Sequence, residues 1–518
     1  MERHSARKIW TADNGDGTYR NPVLYSDYAD PDVIRVGEDY YMVASSFCNA
    51  PMVPLLHSRD LVNWKVINYV ANRLPFERYD TPQHGCGAWA PSIRYHDGVY
   101  YAFVPFPDEG IAVYATDDPY GKWSEPQFVI KAAGWIDPCP FWDDDGTLYM
   151  VNAFAKSRIG FNSVLHIYPL RDEGNGLTAF TDEGGIVYDG HETQPTIEGP
   201  KLYKRNGYYY IFAPAGGVKT GWQTVLRSRN IMGPYEERII LHQGGTAVNG
   251  PHQGAWVDTP SGEDWFLHFQ DAGAVGRVVH LQPMKWVDDF PVIGVNVDEN
   301  GCGEPVMSYK KPNVGAVYTI ESPDDSDFFD GTKLGLQWQW NANPKQSWYE
   351  LRDGHLRLNA VPADGLRMCD VPNLLLQKWV TGEFRATARL HLDGLKDGDA
   401  CGIISLGGCC DSMLICRTGG ESRLVQRTGM LKSSQESRMD IFAVDSDIVY
   451  LRVIVEGAKK VLWEISTDGA HYLSVGQSTE TSAGAWVGVK VGLAALHEGD
   501  GECGFVRADY FLLEPLDR

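Results

Sequence analysis

Residues 194–212, QPTIEGPKLYKRNGYYYIF, decide the fold. Leu202 and Tyr203 lead into Arg205-Asn206-Gly207 and residues 208–212 lead out, which is a hairpin with β-formers on both sides of its turn. In front of it stands Glu198, between Thr196-Ile197 and Gly199-Pro200. A carboxylate held there by a rigid sheet faces a cleft rather than bulk solvent.

The same phrase recurs along the chain: an acidic or small residue, Pro, any residue, an apolar residue, then a Gly-bearing turn and an aromatic strand. It begins at Asp30-Pro31, with Gly37 and Tyr40-Tyr41, and returns at Ala90-Pro91, with Asp97-Gly98 and Tyr100-Tyr101. Asp137-Pro138 opens a third copy, with Asp145-Gly146 and Tyr149, and Gly199-Pro200 a fourth. A degenerate fifth runs from Gly254-Ala255 to Gly262 and Trp265-Phe266-Leu267. Five units of roughly 50 to 60 residues, each with about four short strands, describe a five-bladed β-propeller. A parallel α/β fold would need amphipathic helices between the strands, and no helical periodicity is present.

After Pro312 the phrase stops. Residues 313–330, rich in Pro, Asp and Ser, read as a linker. Residues 331–518 alternate as an antiparallel sandwich does, for example at 383–390 (EFRATARL) and 448–455, with a hairpin at 463–472 turned on Asp468-Gly469. The expectation is an all-β chain: a propeller catalytic domain over 1–312, then a β-sandwich.

Composition sets bounds on partners. The 518 residues carry a net charge of −22, which argues against nucleic acid or an anionic membrane surface and leaves a neutral sugar unaffected. Ten cysteines are scattered without a CxxC pair, as free thiols would be. The N-terminal stretch has no apolar core of a signal peptide and no run is long enough to span a membrane, so a cytoplasmic protein is expected, or a secreted one if the natural chain was trimmed at this end. A homo-oligomer is compatible with the sequence.

Blade-opening residues ring the central depression of a propeller, so Asp30, Asp137 and Glu198 are expected to converge from three blades on one mouth. Two carboxylates suffice for glycoside hydrolysis: a protonated acid for the leaving oxygen and an ionised base for water. A third can tune the acid, because a nearby like charge raises a carboxyl pKa.

The phrases NPVLYSDYADPDVIRVGEDYYMVASSF (21–47), WAPSIRYHDGVYYAF (89–103), IDPCPFWDDDGTLYMV (136–151), IEGPKLYKRNGYYYIF (197–212) and GRVVHLQPMKW (276–286) resemble family 43 of the glycoside hydrolases. More narrowly they resemble its β-xylosidases and α-L-arabinofuranosidases with a C-terminal concanavalin-like jelly roll. The resemblance implies an exo-acting, inverting enzyme that releases terminal pentose from hemicellulose-derived oligosaccharides. In that pattern Asp30 is the general base, Glu198 the general acid, and Asp137 the residue that raises and orients the acid. Arg277 binds the hydroxyls of the terminal sugar, and Phe47 and Trp89 wall its pocket. His252 lies near the propeller axis beside a calcium ion, contacted directly or through water; no organic cofactor is required. A rival reading from another class is a non-catalytic propeller, a carbohydrate-binding or interaction scaffold.

The sequence departs from the pattern in two places. Asp32 stands beside Asp30, where relatives have a Ser after the Pro, so the local string admits either as base; alignment of Asp-Pro with the other blades favours Asp30. The run Cys48-Asn49-Ala50-Pro51-Met52 replaces a bulkier segment that lines the sugar pocket in relatives, which leaves the preferred sugar open. The Gly-rich stretch 496–504 matches the sandwich loop that narrows that pocket.

Overall fold

The computed structural model describes residues 8–516 apart from 173 and 175. The first seven residues, part of the stretch read for a leader, lie outside the described residues. Five antiparallel sheets follow one another along the first half of the chain, each built of consecutive strands. Their first strands are Asp32–Val36, Ser92–His96, Trp135–Trp142, Lys201–Arg205 and His252–Asp258, the positions of the repeated phrase. The third sheet gains a fifth strand, Gly185–Asp189, laid along Val164–Asp172. The decisive hairpin pairs Lys201–Arg205 with Tyr208–Ala215 and sets Arg205 opposite Tyr208. Asn206 and Gly207 turn it at φ +51° and +72°, the left-handed pair that a two-residue turn matching the strand twist requires.

Two devices close the ring. Thr18–Arg20 pairs with Ser308–Lys310, and Leu24 exchanges backbone hydrogen bonds with Val279 of the fifth blade at 3.3 and 3.0 Å. One apolar cluster then spans first and last blades, packing Tyr40, Met42 and Trp64 with Trp265, Leu267 and Leu281. Each such buried side chain contributes roughly 1.5–3 kcal/mol, so the seam is stabilised like any other blade contact. Among the described residues the only α-helix is the single turn Lys156–Ile159, and no helix is long and apolar enough to cross a membrane.

The C-terminal half is two facing sheets. One, of seven strands, has Phe384–His391 and Ile448–Glu456 near its middle; the other includes Lys490–His497, Asp399–Leu406 and Cys409–Thr418. Burial alternates residue by residue along Ile448–Glu456, the period-2 pattern of a strand with one face on the core. Trp379, Phe384, Leu451, Trp463 and Phe511 meet between the sheets.

The stretch read as a linker is fastened rather than free. Asp325 accepts the Ile9 N–H at 2.9 Å, Asp327 and Phe511 exchange backbone bonds at 2.9 and 2.8 Å, and Phe329 is buried in the sandwich core. The run at 48–52 lies at the boundary between propeller and sandwich. Ala50 and Trp340 exchange backbone bonds across the two domains at 3.1 and 2.5 Å. Small residues suit that close approach, which is a physical reason for the missing bulk. All ten cysteines are free thiols, as expected.

Candidate active site

All seven residues singled out from the sequence line one pocket of about 590 Å³: Asp30, Asp137, Glu198, Phe47, Trp89, Arg277 and His252. That volume suits a small ligand. The blade openings put the carboxylates there by a shared backbone device. Asp30 and Asp137 both hold the left-handed conformation, at φ +57° and +55°, immediately before a Pro. The equivalent residue in the fourth blade is Gly199, at φ +58°. Glu198 therefore stands one residue earlier than its two partners, not at the same repeat position. The Pro alignment already carries this offset, since Glu198 is two residues before its Pro and each Asp is one.

Asp30 is 4% exposed and firmly held. Arg277 Nη1 reaches both its oxygens, at 2.9 and 3.1 Å, and Ser45 donates its hydroxyl to Oδ2 at 2.5 Å. Arg277 is thus the ion-pair partner of a buried carboxylate as well as a pocket wall. Asp32 behaves differently. It is fully buried, accepts the Ile93 N–H at 2.8 Å and pairs with Arg94 at 2.6 Å, away from the pocket. Of the two, Asp30 lines the pocket, whereas Asp32 is spent on joining the first two blades.

Asp137 is 2% exposed, and its Oδ2 accepts the Gly199 N–H at 2.7 Å. Burial pushes its carboxyl up to about 7, with the charge of Glu198 adding to the rise. The Gly199 N–H and the buried ammonium of Lys201 pull in the opposite direction without cancelling it. Glu198 has the most exposed side chain of the three, at 27%, and so has the freest approach to a ligand. His252 Nε2 lies 3.3 Å from its Oε1 without hydrogen-bonding geometry, so both imidazole nitrogens are buried without a hydrogen-bond partner. Calcium takes six to eight oxygens, by general rule about 2.3–2.6 Å away. Around His252 the carboxylate within reach is that of Glu198, and a set of one imidazole and one carboxylate does not fit direct calcium ligation.

The aromatic walls form a chain. Phe47 and Trp89 have ring centroids 6.1 Å apart, and Trp89 and Trp486 6.3 Å apart. Trp486 comes from the sandwich, has φ +69°, and is 51% exposed towards the pocket. It was missed in the sequence because its loop, 483–488, bears no repeat and lies far from every blade opening. The loop expected in this role, 496–504, bonds within the sandwich instead: Glu498 to Arg427, Gly499 to Asp364 and Gly504 to Asp399. Ser45 and Lys201 were likewise invisible as site residues: Ser45 lies just past the strand Asp39–Val43, and Lys201 opens the strand Lys201–Arg205 as one of its three basic residues.

Carboxylates from three blades of a propeller, gathered with an arginine and aromatic walls on one sugar-sized pocket, define a glycoside hydrolase. The chain belongs to glycosyl hydrolases family 43, whose model matches residues 19–291, followed by the β-xylosidase C-terminal concanavalin A-like domain at 326–514. It is 43% identical over 497 residues to a Xylanibacter ruminicola protein provisionally named a β-xylosidase, covering 94% of this chain and 87% of that one. A β-xylosidase of Formosa agariphila is 32% identical, with 96% and 90% covered. Among solved structures, the GH43 protein BlXynB of Bacillus licheniformis superposes with a TM-score of 0.81 at 27% identity, over 96% of this chain and all of that one.

Proposed function

We propose that this exo-acting, inverting glycoside hydrolase removes a terminal pentose, β-D-xylose or α-L-arabinofuranose, from hemicellulose-derived oligosaccharides. The observation that carries the reading is the division of labour among the carboxylates: Asp30 buried against a cation, Asp137 buried and raised, Glu198 open to the ligand. In this reading Asp30 takes a proton from water as its oxygen bonds to the anomeric carbon. The glycosidic C–O bond breaks on the opposite face, and Glu198 gives its proton to the leaving oxygen. The released sugar carries the inverted configuration, and solvent restores both protonation states. Asp137 orients the acid through the bond it accepts from the Gly199 N–H, the residue next to Glu198. The guanidinium of Arg277 offers its remaining N–H groups to sugar hydroxyls. A calcium ion near His252 would be held chiefly by water, and no step depends on it. The names of relatives support the choice of sugar: besides β-xylosidases, they include a non-reducing end α-L-arabinofuranosidase of Bacteroides ovatus, 26% identical.

The test is hydrolysis of nitrophenyl β-xyloside and α-arabinofuranoside by the wild type and Glu198→Gln. Turnover of either substrate, lost by about 10²–10⁴-fold in the variant, is the expected result. A wild type inactive on every pentoside would remove the sugar assignment, and undiminished activity of Glu198→Gln would remove its role as acid.

A further inference from the structure

Asp27 lies outside the pocket, 4% exposed, and has no part in the chemistry above. Its Oδ1 accepts the backbone N–H of Arg277 at 2.9 Å, and its Oδ2 accepts that of Gly488 at 2.8 Å. One carboxylate therefore ties the residue that pairs with Asp30 to the loop that presents Trp486, across the domain boundary. A further bond, from the Val489 N–H to the Ala274 carbonyl at 2.8 Å, runs beside it. The approach is close on both sides. A Cβ on Gly488 would lie 2.4 Å from the Val275 oxygen, and one on Gly276, at φ +93°, 2.4 Å from Asp27 Oδ1. Glycine at both places is what lets two backbones and a carboxylate meet.

The pocket side of this knot is equally specific. The Arg277 guanidinium sits 5.8 Å from the Trp486 ring centre and 5.0 Å from that of Phe269. Trp486 keeps half its surface open and holds a left-handed backbone, a combination that persists only when neighbours over-determine it. The cations facing Asp27 are Lys378 and Lys490, both lowered by burial and drawn back up by the Asp27 charge.

We propose that Asp27 is a positioning residue that fixes Arg277 and Trp486 at one spacing, so that a sugar held by the arginine meets the face of the tryptophan. The sandwich thereby completes the pocket through a charge that touches no ligand. This deepens the pentosidase reading and rests on it for its kinetic arm, while its exchange arm stands without it.

The experiment compares wild type, Asp27→Asn, Trp486→Ala and the double variant. Amide hydrogen exchange is expected to rise in Asp27→Asn within both 273–279 and 483–489 and to stay unchanged in the outer blade strands. On a pentose disaccharide, Asp27→Asn is expected to raise KM by about tenfold or more, since a small misplacement of a binding group is costly. The two substitutions together should raise KM by less than the product of their separate effects. A mere counter-ion for Lys378 and Lys490 would lower Tm without that non-additivity. Should Asp27→Asn fail to fold, Gly488→Ala displaces the loop with every charge in place and should raise KM and exchange alike. Unchanged exchange in both segments, or independent effects on KM, would overturn the proposal. If the wild type cleaves no pentoside, only the sugar assignment falls and exchange decides this inference.

Discussion

The backbone N–H of Gly199 donates to Asp137 Oδ2 at 2.7 Å, so the residue that follows Glu198 is fastened to a carboxylate in the neighbouring blade. The placement of Glu198 thus depends on a glycine. At φ +58°, a Cβ on Gly199 would lie 2.5 Å from Gln253 Cγ. Gly199→Ala is expected to lower Tm by a few degrees and kcat by about tenfold or more, as strain and clash shift the acid. Steady-state kinetics on a nitrophenyl pentoside beside thermal denaturation checks this, and wild-type kcat would detach Glu198 from the Gly199 bond.

The raised carboxyl of Asp137 has a pH signature. Between the ordinary value of 3.8 and about 7 the folded protein keeps a proton there that the unfolded chain has released. The contribution of this group to stability is full below the unfolded value and is lost as pH rises through the folded one. Asp137→Asn has nothing to ionise at that place. Its Tm relative to wild type should therefore climb from pH 5 to pH 8, while its turnover falls at both. A gap in Tm that is constant with pH would show that Asp137 ionises normally.

Neighbouring acids should separate cleanly. Asp30→Asn is expected to cut the turnover of each folded molecule by about 10²–10⁴-fold, as loss of a general base does, beyond the fall in Tm that comes from leaving Arg277 without its partner. Asp32→Asn leaves the half-buried Arg94 without its partner, a change worth about 3–5 kcal/mol for a buried pair, and should cost stability while each folded molecule keeps its activity within severalfold. The reverse assignment of losses would exchange their roles.

Arg277 serves Asp30 and the pocket together, so its two substitutions should differ in degree. Arg277→Ala leaves a buried carboxylate without its cation and is expected to lower kcat/KM by roughly 100-fold or more. Arg277→Lys keeps the charge but loses the planar fork, and about a tenfold loss is expected. Equal losses would mean that charge is immaterial there.

The propeller was legible because its information is local and repeated: a turn and an aromatic strand that return five times, with a Pro before them in the first four. The carboxylates were legible for the same reason, since each stands at a strand opening whose backbone the Pro constrains. The one-residue offset of Glu198 was present in the string but masked by treating blade openings as interchangeable. Trp486 and Asp27 were beyond reach for a different reason. Their roles arise from contacts between segments more than 200 residues apart, Asp27 with Arg277 at 2.9 Å and with Gly488 at 2.8 Å, and no local pattern announces such a meeting. The 496–504 loop shows the converse, a glycine-rich string that suggests a pocket loop yet bonds within the sandwich.

The fastening of Trp486 to the rim of the propeller separates two inheritances within one enzyme. The machinery for breaking a bond is written in blade strands, where any change disturbs a ring that must close. The wall that Trp486 presents to the sugar is written in a loop of the other domain, between Leu473–Glu480 and Lys490–His497. Substitutions in that loop alter what the pocket admits without rewriting how it reacts, so a preference for one sugar over another has a place to drift while the catalytic carboxylates stay where they are.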